Sequence, residues 1–338
     1  MTLLPEYPAQ EIAVKARTLR QVREPADRRF RGITRGGGVI VLTVMVLVGF
    51  FLTSNAIQAI GSRGLVEFIT TQEWAPETNN FGIAAVLTGT VLVAIVALIV
   101  SLPLSLGTAL FITEIAPAGL KRTLTSIIDL MAAVPSVVYG LWGLAFLQVN
   151  IVGFSQWLST WFGWIPIFRV DGADPANPLP NDALYTSSTF IAGLVVGLMI
   201  VPIQTSMMTE SFSRAPIGER EGAYALGATR WGVIRSVVLP FGRGGIIGGT
   251  MLGLGRALGE TIAIYLIISP IFQINFHILQ NGSNSVAALI ALRYAESNQF
   301  TMSALMAAGL TLFILTMLVN FTASAIIAKS RSGAESEG

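Results

Sequence analysis

The chain has 338 residues, of which 53% are apolar and only 12% charged, with no cysteine and one histidine, His277. Water-soluble domains carry about a quarter charged residues, so the indicated solvent is lipid and there is no room for a separate soluble domain. The cysteine count excludes disulfides and thiolate chemistry, and no metal centre is expected.

The first 36 residues form a basic tail with eight Lys/Arg: Lys15, Arg17, Arg20, Arg23, Arg28, Arg29, Arg31 and Arg35. It lacks the apolar core of a signal peptide, so the first span is expected to be an uncleaved anchor. The stretch 11–20 can be read as an orienting tail or as a basic helix lying on anionic headgroups. Apolar runs long enough to span about 30 Å of hydrocarbon follow at 37–60, 83–113, 124–147, 183–208, 246–272 and 302–328. Lys121, Arg122, Arg214, Arg220, Arg230, Arg235, Arg243, Lys329 and Arg331 fall on the same side as the basic tail, against Arg63, Arg169 and Arg293 on the other. The positive-inside rule then places both termini in the cytoplasm. The reading is an all-α polytopic membrane protein: tail 1–36, a six-helix domain 37–328 with a cytoplasmic loop at 209–240, and tail 329–338.

Pro103, Pro135 and Pro202 interrupt spans two, three and four and predict bends. Asp129, early in span three and about two turns from Lys121 and Arg122, is expected to be solvated or to pair locally rather than to touch substrate. On the outer side, 153–168 carries six aromatic rings, a density suited to an interfacial segment, and 171–180 reads as a loop.

Between spans four and five lies a polar segment, Glu221 to Pro240. It spells E-G-A (Glu221, Gly222, Ala223), three residues, Gly227, nine residues, then V-x-L-P ending in Leu239 and Pro240. Pro216 suits a helix start, Gly227 a left-handed stop, and Thr229 the cap of a second helix. The first helix would project outward with Glu221, Tyr224 and Ala225. In the second, Trp231, Ile234 and Val238 form one apolar stripe able to lie on the bundle.

Span five carries Gly245, Gly249 and Gly253 at spacings of four, then Arg256 and Glu260 on the same helical sector. Small residues at that spacing let helices approach closely in lipid. Counted from Arg243 at about 1.5 Å per residue, Arg256 lies about 20 Å into the span; an arginine there costs about 2.5–3.5 kcal/mol even on a lenient insertion scale, and Glu260 is spaced to pair with it. Two readings stand: a structural ion pair, or a guanidinium fork offered to a tetrahedral oxyanion with Glu260 holding the fork between visits.

The polar segment resembles the EAA loop of ABC-transporter permeases, E-A-A, three residues, G, nine residues, I-x-L-P, with Gly222 and Val237 as mild departures. Residues 132–143 (AAVPSVVYGLWG) and 253–261 (GLGRALGET) are similar to the permease subunits of the phosphate (Pst) system, and the extra first span is more like PstC than PstA. The resemblance covers roughly 80–328. It implies a type I ABC importer permease fold and a coupling helix at Glu221–Leu226, ending at Gly227, that docks on an ATPase. It also implies an intramembrane Arg256–Glu260 pair for phosphate passage. The implied partners are a PstA-like permease, a PstB-like ATPase dimer that binds ATP and Mg, and an extracytoplasmic phosphate-binding protein, besides membrane lipids; nucleic acid is not implied.

A P-loop needs Gly-Lys-Ser/Thr. The three lysines follow Val14, Leu120 and Ala328, so energy from ATP must arrive through another subunit, and no cofactor is expected in this chain. Alternatives are a permease for sulfate, molybdate or arsenate, and a stand-alone secondary transporter or channel, although inverted repeats are not evident. A further one is an intramembrane hydrolase using Ser155 and His277, disfavoured by an expected loop position for Ser155.

Overall fold

The computed structural model describes residues 25–173 and 181–331. The 11–20 tail segment, most of the 171–180 loop and the end of the C-terminal tail lie outside the described residues. Six helices are long and apolar enough to cross a membrane: Arg29–Arg63, Ala84–Ile115, Ser136–Phe162, Thr189–Ser213, Arg230–Gly259 and Gln299–Ile326. An even number of crossings returns the chain to the side it left.

The chain divides into two compact units, Met1–Val48 and Gly49–Gly338. The described part of the first unit is the opening stretch of helix α1 (Pro25–Arg63). Its Val39, Ile40, Leu42 and Val46 are exposed, as side chains solvated by lipid would be.

In the second unit α1 ends at Arg63 and is followed by α2 (Leu65–Thr70) and a minimal hairpin, β1 (Trp74–Ala75) with β2 (Asn80–Phe81). Next come α3 (Ala84–Leu110), α4 (Ala118–Ala132), α5 (Ser136–Trp142), α6 (Gln148–Phe162) and α7 (Thr189–Ser213). The chain continues through α8 (Ile217–Ala225), α9 (Arg230–Val233), α10 (Leu239–Gly259), α11 (Ile262–Ile267), α12 (Val286–Arg293) and α13 (Gln299–Arg331).

Helix α7 is the axis of the bundle, with sixteen buried residues. It packs on α3 through glycine: a Cβ at Gly193 would stand 2.5 Å from Val96 Cγ1, and one at Gly197 3.0 Å from the Ala97 carbonyl. The main apolar cluster joins Val93 and Ala97 of α3, Ile191, Val195 and Met199 of α7, Leu258 of α10, and Ile264 and Ile267 of α11. Pro103 and Pro202 both lie inside helices, within α3 and α7.

Two spans depart from expectation. The third was expected at 124–147, yet α4 stops at Ala132 and the crossing helix begins at Ser136, after Pro135. Proline supplies no N–H and drives its predecessor out of the α region. Helix α4, with Lys121, Arg122 and Asp129, buries none of its residues, and the aromatic segment expected at the interface is largely the helical end of α6. The fifth was expected at 246–272, but the helix starts at Arg230 and ends at Gly259. Here α9 runs into α10 through a π-turn, Ile234–Val238, which accommodates Pro240 without a break.

Candidate translocation and coupling site

The polar segment folds largely as its residues dictate. Pro216 is the N-cap of α8, Gly227 adopts φ +83 where a side chain would be strained, and the Thr229 hydroxyl accepts from the Gly232 N–H at 3.2 Å. Helix α8 has no fully buried residue: Glu221, Gly222 and Tyr224 are exposed, Ala223 is half-buried, and Leu226 at its end is 91% exposed. The expected stripe on the second helix is corrected. Trp231 is exposed, while Val233, Ile234, Val237 and Val238 are buried. The π-turn inserts a residue into the helical register, so the buried face rotates past Trp231.

Gly245, Gly249 and Gly253 line the face of α10 that meets α7. A Cβ at Gly245 would lie 2.1 Å from Ser211 Cβ, one at Gly249 3.2 Å from the Gln204 carbonyl, and one at Gly253 2.4 Å from Gln204 Nε2. Leu239 and Pro240 open α10, so the loop motif and the glycine face belong to one continuous helix.

Arg256 is half-buried in the last turn of α10. Among the described residues no ion pair within 4 Å engages it, and Glu260 is not its partner. This corrects the spacing argument, because the helix ends at Gly259 and Glu260 turns extended, with φ −67 and ψ 127. Its buried carboxylate instead accepts from the Ala263 N–H at 3.1 Å, capping α11. A carboxylate able to bond the backbone of the next turn competes with helix continuation. The Tyr139 hydroxyl donates to the Met131 carbonyl across the Pro135 break, at 3.2 Å.

Sequence reasoning missed the polar seam beside the glycine face. Gln204 is fully buried, accepts from the Ser105 hydroxyl at 3.0 Å, and leaves its Nε2 without a hydrogen-bond partner. Ser101 and Thr205 hydroxyls nearby in sequence are likewise unpartnered. An amide two residues after Pro202 in an otherwise apolar span was the available signal. Asp129, expected to be solvated or to pair locally, instead accepts from the Ser206 hydroxyl of α7 at 3.1 Å, a partner from another helix.

Ser155 is helical rather than in a loop, because α6 extends to Phe162. It is buried and donates to the Ile151 carbonyl at 3.3 Å. His277 engages Asp171 at 3.4 Å and Gln280 at 3.1 Å instead, so the two do not form a nucleophile–base pair.

Six helices able to cross a membrane, packed around α7 with α8 projecting from them, mark the class as a polytopic membrane protein. Residues 103–332 match the family model described as "Binding-protein-dependent transport system inner membrane component". The chain belongs to this family, and is therefore a multi-pass inner-membrane transport component. It is 34% identical over 322 residues to phosphate transport system permease protein PstC 2 of Mycobacterium bovis, covering 94% of this chain and 97% of that one. It is 37% identical over 302 residues to PstC of Haemophilus influenzae, covering 86% and 89%. Among solved structures, a bacterial ABC transporter involved in import of the acidic polysaccharide alginate aligns with a TM-score of 0.55 at 16% identity, covering 89% of this chain and 99% of that one. That likeness supports the type I importer permease fold.

Proposed function

We propose that the chain is the transmembrane permease subunit of an ATP-driven importer that carries inorganic phosphate into the cytoplasm. The observation that carries the reading is Arg256: a half-buried guanidinium in the bundle with no ion-pair partner among the described residues. A structural ion pair would have satisfied it. A planar fork left open suits bidentate contact with a tetrahedral oxyanion. The relatives named as phosphate transport permeases favour phosphate over sulfate, molybdate or arsenate.

In this reading Arg256 binds the passing anion, and Glu260 acts on the site by fixing the start of α11 rather than by holding the guanidinium. Helix α8, with Glu221, Gly222, Ala223 and the Gly227 stop, docks on a PstB-like ATPase dimer that binds ATP and Mg. The helix α9–α10 carries its displacement to Arg256, biasing the bundle between inward- and outward-facing states. The exposed apolar residues of α4, Leu120, Ile127 and Leu130, are offered to a PstA-like second permease. An extracytoplasmic phosphate-binding protein delivers the anion, as the family description favours.

The test is phosphate uptake by the assembled complex in proteoliposomes. Arg256→Gln is expected to abolish uptake and Arg256→Lys to leave a small fraction, because a point charge lacks the fork. Near-normal uptake by Arg256→Gln refutes the role. Uptake by the permease alone, without ATP, would favour a secondary transporter.

A further inference from the structure

The cytoplasmic end of the bundle carries an ion pair that capping does not require. Arg220, on α8 and directly before the loop motif, places Nη1 3.1 Å from Glu114 Oε1 and 3.3 Å from Oε2. Its Nη2 donates to the Phe212 carbonyl at 2.7 Å. Glu114 belongs to a π-turn, Phe111–Ile115, that closes α3, and Phe212 to the last turn of α7. Both side chains are largely withdrawn from solvent, Arg220 to 22% and Glu114 to 10%. The same π-turn receives a second cation, since Lys121 of α4 donates to the Thr113 carbonyl. Phe212 is itself fully buried, against Gly242 of α10.

Helix α8 has little else to hold it. It buries no residue, and it is flanked by Pro216 and by Gly227 in a left-handed turn. An apolar contact would have tied it to the bundle at lower desolvation cost, because a shielded ion pair contributes little net stability. What the guanidinium fork supplies instead is direction, with two partners on two helices fixing one orientation.

We propose that Arg220 is a positioning residue, bracing the coupling helix against the ends of α3 and α7 so that α8 and the bundle move as one body. This rests on the reading of α8 as the docking helix for the ATPase. The pair stays closed through the transport cycle. Loss of the brace lets α8 swing on its flanks, so ATP is hydrolysed while the bundle does not respond.

The experiment measures phosphate uptake and ATP hydrolysis in the same proteoliposomes containing the whole complex. Arg220→Gln and Glu114→Gln are expected to keep the ATPase subunit bound and hydrolysis within about twofold, while phosphate moved per ATP falls at least tenfold. The chain has no native cysteine, so Glu114→Cys with Arg220→Cys can be joined by a bis-maleimide of side-chain-pair length. Joining is expected to restore most of the lost phosphate per ATP. Unchanged phosphate per ATP in Arg220→Gln overturns the proposal, and so does a joined pair that stays inactive, because the contact would then have to open. Leu226→Glu separates the underlying reading. If it leaves ATPase binding and hydrolysis intact, α8 is not the docking helix; if it releases the ATPase while Arg220→Gln is silent, only the brace fails.

Discussion

Replacing Gly245 by Ala places one methyl group where α10 meets α7. The added carbon would stand 2.1 Å from Ser211 Cβ and 2.4 Å from Ser211 Oγ. Ordinary contact begins near 3.4 Å, so the helices must separate locally by about 1.3 Å, and Ser211 Cβ is fixed to its backbone and cannot swing aside. Overpacking of this kind costs about 1–3 kcal/mol, or a roughly 5- to 150-fold shift in the folding equilibrium at 1.4 kcal/mol per tenfold. Gly248, on the same helix, is the control: a Cβ there meets nothing within 4 Å. Its replacement by Ala should be neutral, or stabilising by about 0.5–1 kcal/mol, through the lower backbone entropy cost. The assay is the thermal midpoint of the detergent-purified complex, followed by loss of the monodisperse elution peak. Ser211→Gly combined with Gly245→Ala should recover part of the loss, as coupled neighbours do. A Gly245→Ala complex as stable as Gly248→Ala would refute the close-approach argument.

Three further outcomes are expected. Thr229→Ala removes the side-chain acceptor of the Gly232 N–H and should lower stability by about 1 kcal/mol, visible as a small fall in the same midpoint. Gly227→Ala forces a Cβ into φ +83 at about 1–2 kcal/mol, and co-purification should report weaker retention of the ATPase subunit. Glu260→Gln keeps an acceptor for the Ala263 N–H and should preserve the midpoint, whereas Glu260→Leu strips the cap and should cost about 1–2 kcal/mol.

The six crossings were legible because lipid demands an uninterrupted apolar run, and that demand is written residue by residue. Pro216, Gly227 and Thr229 were legible for a similar reason, each imposing a local conformation on its own. The ends of spans were not. Pro135 looked like a bend within span three, but whether proline kinks or breaks a helix depends on what satisfies the freed carbonyls, and here Tyr139 bonds Met131 across a full break. The π-turn at Ile234–Val238 leaves no local mark in the sequence, so Trp231 was assigned to the wrong face. Arg256 and Glu260 stand out in the sequence as charged residues in apolar surroundings. Their pairing failed because spacing by four means proximity only while the helix continues, and it stops at Gly259. Arg220 with Glu114, over a hundred positions apart, is a contact only the tertiary fold creates.

The unbroken helix from Arg230 to Gly259 has thirty residues, about 45 Å of rod at 1.5 Å per residue. A rod of that length is a lever. Pivoting by about 10° around its middle, it would carry each end through roughly 4 Å, comparable to the diameter of a dehydrated oxyanion. Such a pivot would fall near the glycine face, where the rod packs closely on α7, with the π-turn at Ile234–Val238 near the end that continues from α8. If α8 is driven by the ATPase as proposed, a small stroke at the cytoplasmic surface would become a displacement of Arg256 large enough to open or close its surroundings, with no change needed in the rod's own hydrogen bonds beyond the joint.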